Sequence, residues 1–130
     1  RLAEQAEKKA FRLLEAKCTA QQWKDWCAEK HIFCTGSKSG AAGIRYELTA
    51  KYAFNIYIWL FNKTVGKLCV SVDNNKIPLP DMLLSQKLMI ETDEESFIQL
   101  ANVSGMFDRQ PGSQNREREI RGPFELFRTP

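Results

Sequence analysis

Residues 52–73, YAFNIYIWLFNKTVGKLCVSVD, form the most hydrophobic stretch of the chain and its clearest β-hairpin signal. In residues 54–61 the even positions are Phe54, Ile56, Ile58 and Leu60, and the odd positions are Asn55, Tyr57, Trp59 and Phe61. Successive strand side chains point to opposite faces, so this strand has an aliphatic face and a largely aromatic one. In the return strand Leu68, Val70 and Val72 share one face, and Cys69, Ser71 and Asp73 share the other. The faces agree when Leu60 pairs with Leu68 and Phe61 with Lys67, which leaves residues 62–66, with Gly66, as the loop. A slip of one residue would drive Asp73 into the core.

The rest of the chain arranges itself around that hairpin. Residues 2–17 recur as a helix through Ala3, Ala6, Ala10 and Leu13 or Leu14, with an Ala-rich, polar first part that can project from the body. Thr19 followed by Gln22 has the form of a capping box and opens a second helix over residues 20–30, with Trp23, Trp26 and Cys27 as its buried stripe. Residues 32–35 and 44–48 read as strands, joined by the small-residue loop of Gly36, Ser37, Lys38, Ser39 and Gly40. After a turn at residues 73–76, Pro78 and Pro80 end the sheet, with Pro80 suited to a first helical position and Asp81 to a first turn. A helix then runs to about residue 91 on Met82, Leu83, Leu84, Leu88 and Met89. Thr92 and Glu95 suggest another capping box, opening a short helix to Ala101 that buries Phe97, Ile98 and Leu100.

These elements predict an α+β fold: an antiparallel four-stranded meander with two helices before it and two after it, plus an extended C-terminal tail. Residues 1–105 are expected to form a single domain, with a helical segment at 1–30, the sheet at 31–73 and helices at 80–102. Residues 106–130 change character, with a charge run at 116–121 followed by an apolar cluster of Phe124, Leu126 and Phe127. This reads as a tail held by its own body or by a neighbour.

Composition narrows the function classes. Hydrophobic residues at 43% and charged residues at 27% are those of a globular chain. The net charge of +3, from 19 Lys and Arg against 16 Asp and Glu, is milder than nucleic-acid binders usually carry, though it permits a local basic patch. No apolar run reaches the ~20 residues needed to span a bilayer, so no membrane is expected as a partner. A start at Arg1 rather than Met reads as that of a piece of a larger protein. Cys18, Cys27, Cys34 and Cys69 are few, irregularly spaced and set in regular segments, which predicts reduced thiols and a cytoplasmic protein.

Four constellations can carry chemistry. The second sheet face would hold Arg45, Glu47, Asn55, Tyr57, Trp59, Ser71 and Asp73, with Lys67 at the hairpin end. Aromatic and basic residues so mixed suit a protein interface, and also single-stranded nucleic acid. The plain alternative is that helices cover both faces and Tyr57 and Trp59 are core. Cys27, His31 and Cys34, with Cys18 or Cys69 as a further ligand, are the right ligand types for zinc, but no Cys-x2-Cys pair is present. A Cys–His nucleophile pair would join His31 to Cys34 or Cys69. The loop at residues 36–40, with Lys38, can offer backbone N–H groups to a phosphate, although no helix follows it directly. The tail segment with Phe124 and Phe127 reads as an anchor for a partner pocket or for its own body.

The function expected is a non-catalytic interaction or assembly module, acting within a larger protein or complex through a protein partner or self-association. Its candidate binding residues are Tyr57, Trp59, Arg45, Lys67, Lys38, Phe124 and Phe127. The alternative is a nucleic-acid-binding domain using the aromatic and basic sheet face, and a further one is a Cys/His enzyme or zinc site. No catalytic residue, metal ligand or cofactor is assigned.

Overall fold

Alternation decides this architecture. Ile32 and Cys34, then Ile44, Tyr46 and Leu48, then Ile56 and Ile58 all fall on one side of their strands, and every one is at most 1% exposed. The computed structural model describes residues 2–51, 55–68 and 77–101. Its elements are α1 (Leu2–Lys17), α2 (Ala20–Glu29), β1 (His31–Thr35), β2 (Ile44–Thr49), β3 (Ile56–Leu60), β4 (Lys63–Leu68), α3 (Leu79–Thr92) and α4 (Glu94–Leu100). The strands form one antiparallel sheet in the order β1-β2-β3-β4, with two helices before them in the chain and two after. The α+β meander is therefore the one expected. The tail carrying Phe124 and Phe127, and most of the expected return strand from Cys69 onward, lie outside the described residues.

The β3–β4 register differs from the expected one. Ile56 pairs with Leu68 and Tyr57 with Lys67, and Leu60 closes the hairpin against Lys63. Phe61 and Asn62 alone make the turn. The shift is an even number of residues, so Leu68 keeps its predicted face. A bulge between Ile58 and Trp59 then absorbs one extra residue, and Val65 is 2% exposed there. Gly66, expected in the loop, sits in the strand opposite Ile58. The left-handed conformation that glycine normally supplies in so tight a turn falls to Phe61, at φ 54°. Three contacts hold that strained residue: its N–H donates to Gly43 O at 2.9 Å, its carbonyl accepts from Arg45 Nη2 at 3.3 Å, and its ring lies against Gly43, where a Cβ would collide with it.

The helices deliver one core. Leu14 of α1, Trp26 of α2, Leu83, Leu84 and Ile90 of α3, and Phe97 of α4 join the strand residues in a single buried cluster. Rings link the layers: Phe11 of α1 stands 6.3 Å from Trp26, and Tyr46 of β2 meets Phe97 edge-on at 5.7 Å. The Thr19 capping box forms as predicted, with Gln22 N–H donating to Thr19 Oγ1 at 3.1 Å and Thr19 N–H to Gln22 Oε1 at 2.9 Å. Lys30 closes α2 in the left-handed region.

Several helix details depart from the sequence reading. In α2 the buried pair is Gln22 and Trp26, one turn apart, and Cys27 turns outward and is exposed. In α1 Leu14 is buried and Leu13 exposed, and residues 4–9 are exposed, as the projecting first part predicted. Leu88 and Leu100 were expected to be buried and are exposed. The cap of α4 is Asp93, whose carboxylate accepts from Ser96 N–H at 3.3 Å, whereas Thr92 ends α3 and donates to Leu88 O. Pro80 falls one position later than expected because α3 starts at Leu79. Among the described residues no helix is long and apolar enough to cross a membrane.

Ile58 lies at the centre of this sheet with 0% exposure. Ile58→Ala is expected to lower the unfolding free energy by about 2–5 kcal/mol, through lost burial and a residual cavity. Urea unfolding followed by circular dichroism measures it, with the midpoint falling and the slope unchanged.

Candidate functional site

The odd strand positions build the second face of the sheet. Register places Thr35, Arg45, Trp59 and Thr64 in one row across it, and Phe33, Glu47, Tyr57 and Lys67 in the next. Four of the candidate binding residues, Arg45, Tyr57, Trp59 and Lys67, thus share this face. Tyr57 and Trp59 are half-buried, and together with Phe33 they stand outside the core cluster that all four helices enter.

Glu47 is the hub of the face. Its Oε1 accepts from the Trp59 indole N–H at 3.0 Å, and its Oε2 lies 2.8 Å from His31 Nδ1. His31 Nε2 is 3.9 Å from Glu29 Oε2, so the single histidine of the chain stands between two carboxylates. Phe33 fills the space between: His31 meets it edge-on at 4.9 Å and Trp59 at 6.1 Å. The Arg45 guanidinium sits 4.9 Å from the Phe33 ring centre, an arrangement in which the ring quadrupole attracts the cation. Lys51, just beyond β2, donates to the Tyr57 hydroxyl. Each of the three rings Phe33, Tyr57 and Trp59 is held by a neighbour, so the aromatic part of the surface is ordered before anything meets it.

Phe33, Glu47 and His31 were absent from the candidate binding residues. The signal that locates Phe33 and His31 was present: they alternate with Ile32 and Cys34 in β1, as Arg45 and Glu47 do with Tyr46 in β2. Asn55 was expected on this face and is not there. It precedes β3, is 3% exposed, and its Nδ2 donates to Gln86 Oε1 of α3 at 3.0 Å. Alternation does not extend past the end of the paired ladder.

The loop at residues 36–40 does bind an anion, and the anion is the protein's own. Glu94 is 0% exposed. Its Oε1 accepts from the backbone N–H groups of Lys38 and Ser39, both at 2.8 Å, and its Oε2 accepts from the hydroxyls of Ser39 and Tyr46. All four are donors, matched to a carboxylate that can only accept. Ser37 Oγ accepts from Glu94 N–H at 3.0 Å. Gly36 approaches so closely that a Cβ there would collide with the carboxylate. Burial first, and the Glu94 charge second, push the Tyr46 phenol well above the usual tyrosine range. Lys38 itself turns to Glu95 of α4, with Nζ 3.3 Å from Oε2, and stands apart from the Trp59 cluster.

A third polar group lies under α3. Lys87 is 3% exposed and pairs with Glu91, and Gln22 Nε2 donates both to Glu91 Oε2 at 3.0 Å and to Phe33 O at 2.9 Å. Burial, aided by the Glu91 charge and opposed by Lys87, pushes the Cys34 thiol well above the usual range.

Among the described residues Cys27, His31 and Cys34 do not come together, and Cys69 lies outside those residues. Cys27 is on the outside of α2, His31 is on the second face bound to Glu47, and Cys34 is on the core face. Among the described residues no group of three His, Cys, Asp or Glu side chains is placed to hold a metal ion. No protein-family model, curated protein or solved structure matches the chain.

Two outcomes follow from these environments. Glu94→Ala leaves the Ser39 and Tyr46 hydroxyls and two amides without their acceptor, at a cost of about 3–5 kcal/mol, while Tyr46→Phe removes one donor at about 1.5–3 kcal/mol. Thermal and denaturant melts should rank the two variants in that order. In the folded protein at neutral pH a thiol-alkylating reagent should modify Cys27 first and reach Cys34 only on unfolding, since the thiolate is the reactive form. Mass spectrometry of peptides from native and unfolded samples separates the two sites.

Proposed function

We propose that the chain is a non-catalytic interaction module whose contact surface is the second face of the sheet, centred on Phe33, Arg45, Tyr57 and Trp59. One observation carries this reading: large aromatic side chains outside the core are locked into position by Glu47, Arg45 and Lys51. Tyr, Trp and Arg dominate the anchors of protein interfaces, because they bury much area while losing little conformational freedom. Phe61 extends the apolar surface at the hairpin tip, where it is 67% exposed.

Nucleic-acid binding is the weaker reading of the same face. Base stacking needs open ring faces beside cations. Here Arg45 already lies over Phe33, and Trp59 meets that same ring edge-on.

A photo-crosslinking residue at position 57 should give protein adducts in cells, and the same residue at Ser85, on the exposed side of α3, should give few. Adducts at position 57 should fall when Trp59→Ala is added, with the fold verified by circular dichroism. Equal yields at the two positions would remove the proposal.

A further inference from the structure

We infer that the partner of this face is an extended protein segment carrying two acidic residues on either side of an apolar one. The inference rests on the interaction reading above and adds the chemistry of what is bound. It starts from charge. Among the described residues of the strands on this side of the sheet, Arg45 and Lys67, with Lys51 just beyond β2, stand against the carboxylate of Glu47, which is already committed to Trp59 and His31. Among the described residues no carboxylate pairs with Arg45, Lys51 or Lys67. Arg45 rests on Phe33 and on Phe61 O, Lys51 on the Tyr57 hydroxyl, and Lys67 is exposed directly across from Tyr57. Arg45 and Lys51 are held in place by neutral groups, and Lys67 is open, so the charge of all three is left for a partner to neutralise.

Spacing then sets the pattern. Arg45 pairs with Trp59 on β3, and Lys67 pairs with Tyr57, so the two cations are two strands and two residues apart. Strands lie ~4.8 Å apart and rise ~3.4 Å per residue, which puts them on a diagonal of roughly 12 Å. An extended segment covers that distance in about four residues and brings the first, third and fifth side chains to one side. Carboxylates at the ends would meet Arg45 and Lys67, and an apolar side chain between them would meet Trp59 and Tyr57. A second copy of this chain fits poorly, because the same face would set cation against cation across a two-fold axis.

The test uses the full chain and fluorescein-labelled peptides in a Gly/Ser background. One carries a Phe with a Glu two residues to each side, a second has Lys in place of both Glu, and single-stranded oligo-dT serves as the third probe. Fluorescence anisotropy at low salt should show the Glu peptide binding at least about tenfold tighter than the Lys peptide. Trp59→Ala should weaken it about tenfold, and Arg45→Gln or Lys67→Gln about threefold each, with the exposed Lys24→Gln unchanged. The charge variants keep the test valid if Trp59→Ala unfolds. Equal binding of the two peptides, or none of either at low salt, overturns the inference. So does oligo-dT binding that depends on Trp59, or a concentration-dependent dimer lost on Arg45→Gln. Protein adducts from position 57 together with charge-indifferent peptides would leave the interaction surface standing and remove only its acidic partner.

Discussion

The structure depends on alternation held through β1, β2 and β3 and brought back into phase in β4 by a bulge. Ile32, Cys34, Ile44, Tyr46, Leu48, Ile56, Ile58 and Leu68 all meet the helices, and that arrangement consigns every intervening residue to the other side. The second face is therefore a geometric by-product of the core. What is not a by-product is its content, since a merely solvated face would carry small polar residues where this one carries Phe33, Tyr57 and Trp59. The bulge at Val65 serves the same constraint: it returns the chain to phase so that Leu68 still enters the core after a turn of two residues.

Polar side chains complete what the apolar ones begin, and each joins elements distant in sequence. Gln22 caps α2, satisfies the Phe33 carbonyl on β1 and reaches Glu91 on α3. Asn55 and Gln86 face each other between the sheet and α3. Among the described residues no buried side-chain polar atom lacks a partner. Such satisfied networks fix one packing among several that hydrophobic burial alone would allow.

Much of this was legible. The helix over residues 2–17, the Thr19 cap, the four-stranded meander and the shared face of Arg45, Tyr57, Trp59 and Lys67 all follow from periods of 3.6 and 2. The hairpin register was not legible, because Phe61 takes a backbone conformation that local chemistry assigns to glycine, and what holds it is contributed by Gly43 and Arg45. The fate of Gln22 and Cys27 was hidden for a similar reason: a polar residue is buried where the tertiary structure offers it partners, and a one-residue rotation of the helix stripe exposes the cysteine. In the sequence Glu94 is one acid among several beside a helix start. Its true acceptor role depends on a loop far away in the chain.

That distance has a thermodynamic meaning. Ser39 and Glu94 are 55 residues apart. Closing a chain segment of that length costs about 3.5 kcal/mol of configurational entropy, and the clasp repays it only once β2 has positioned Tyr46 and α3 has set the direction of α4. The clasp ties the β1–β2 loop and Tyr46 of β2 to the first residue of α4, and so sets where that short helix begins on the body of the protein.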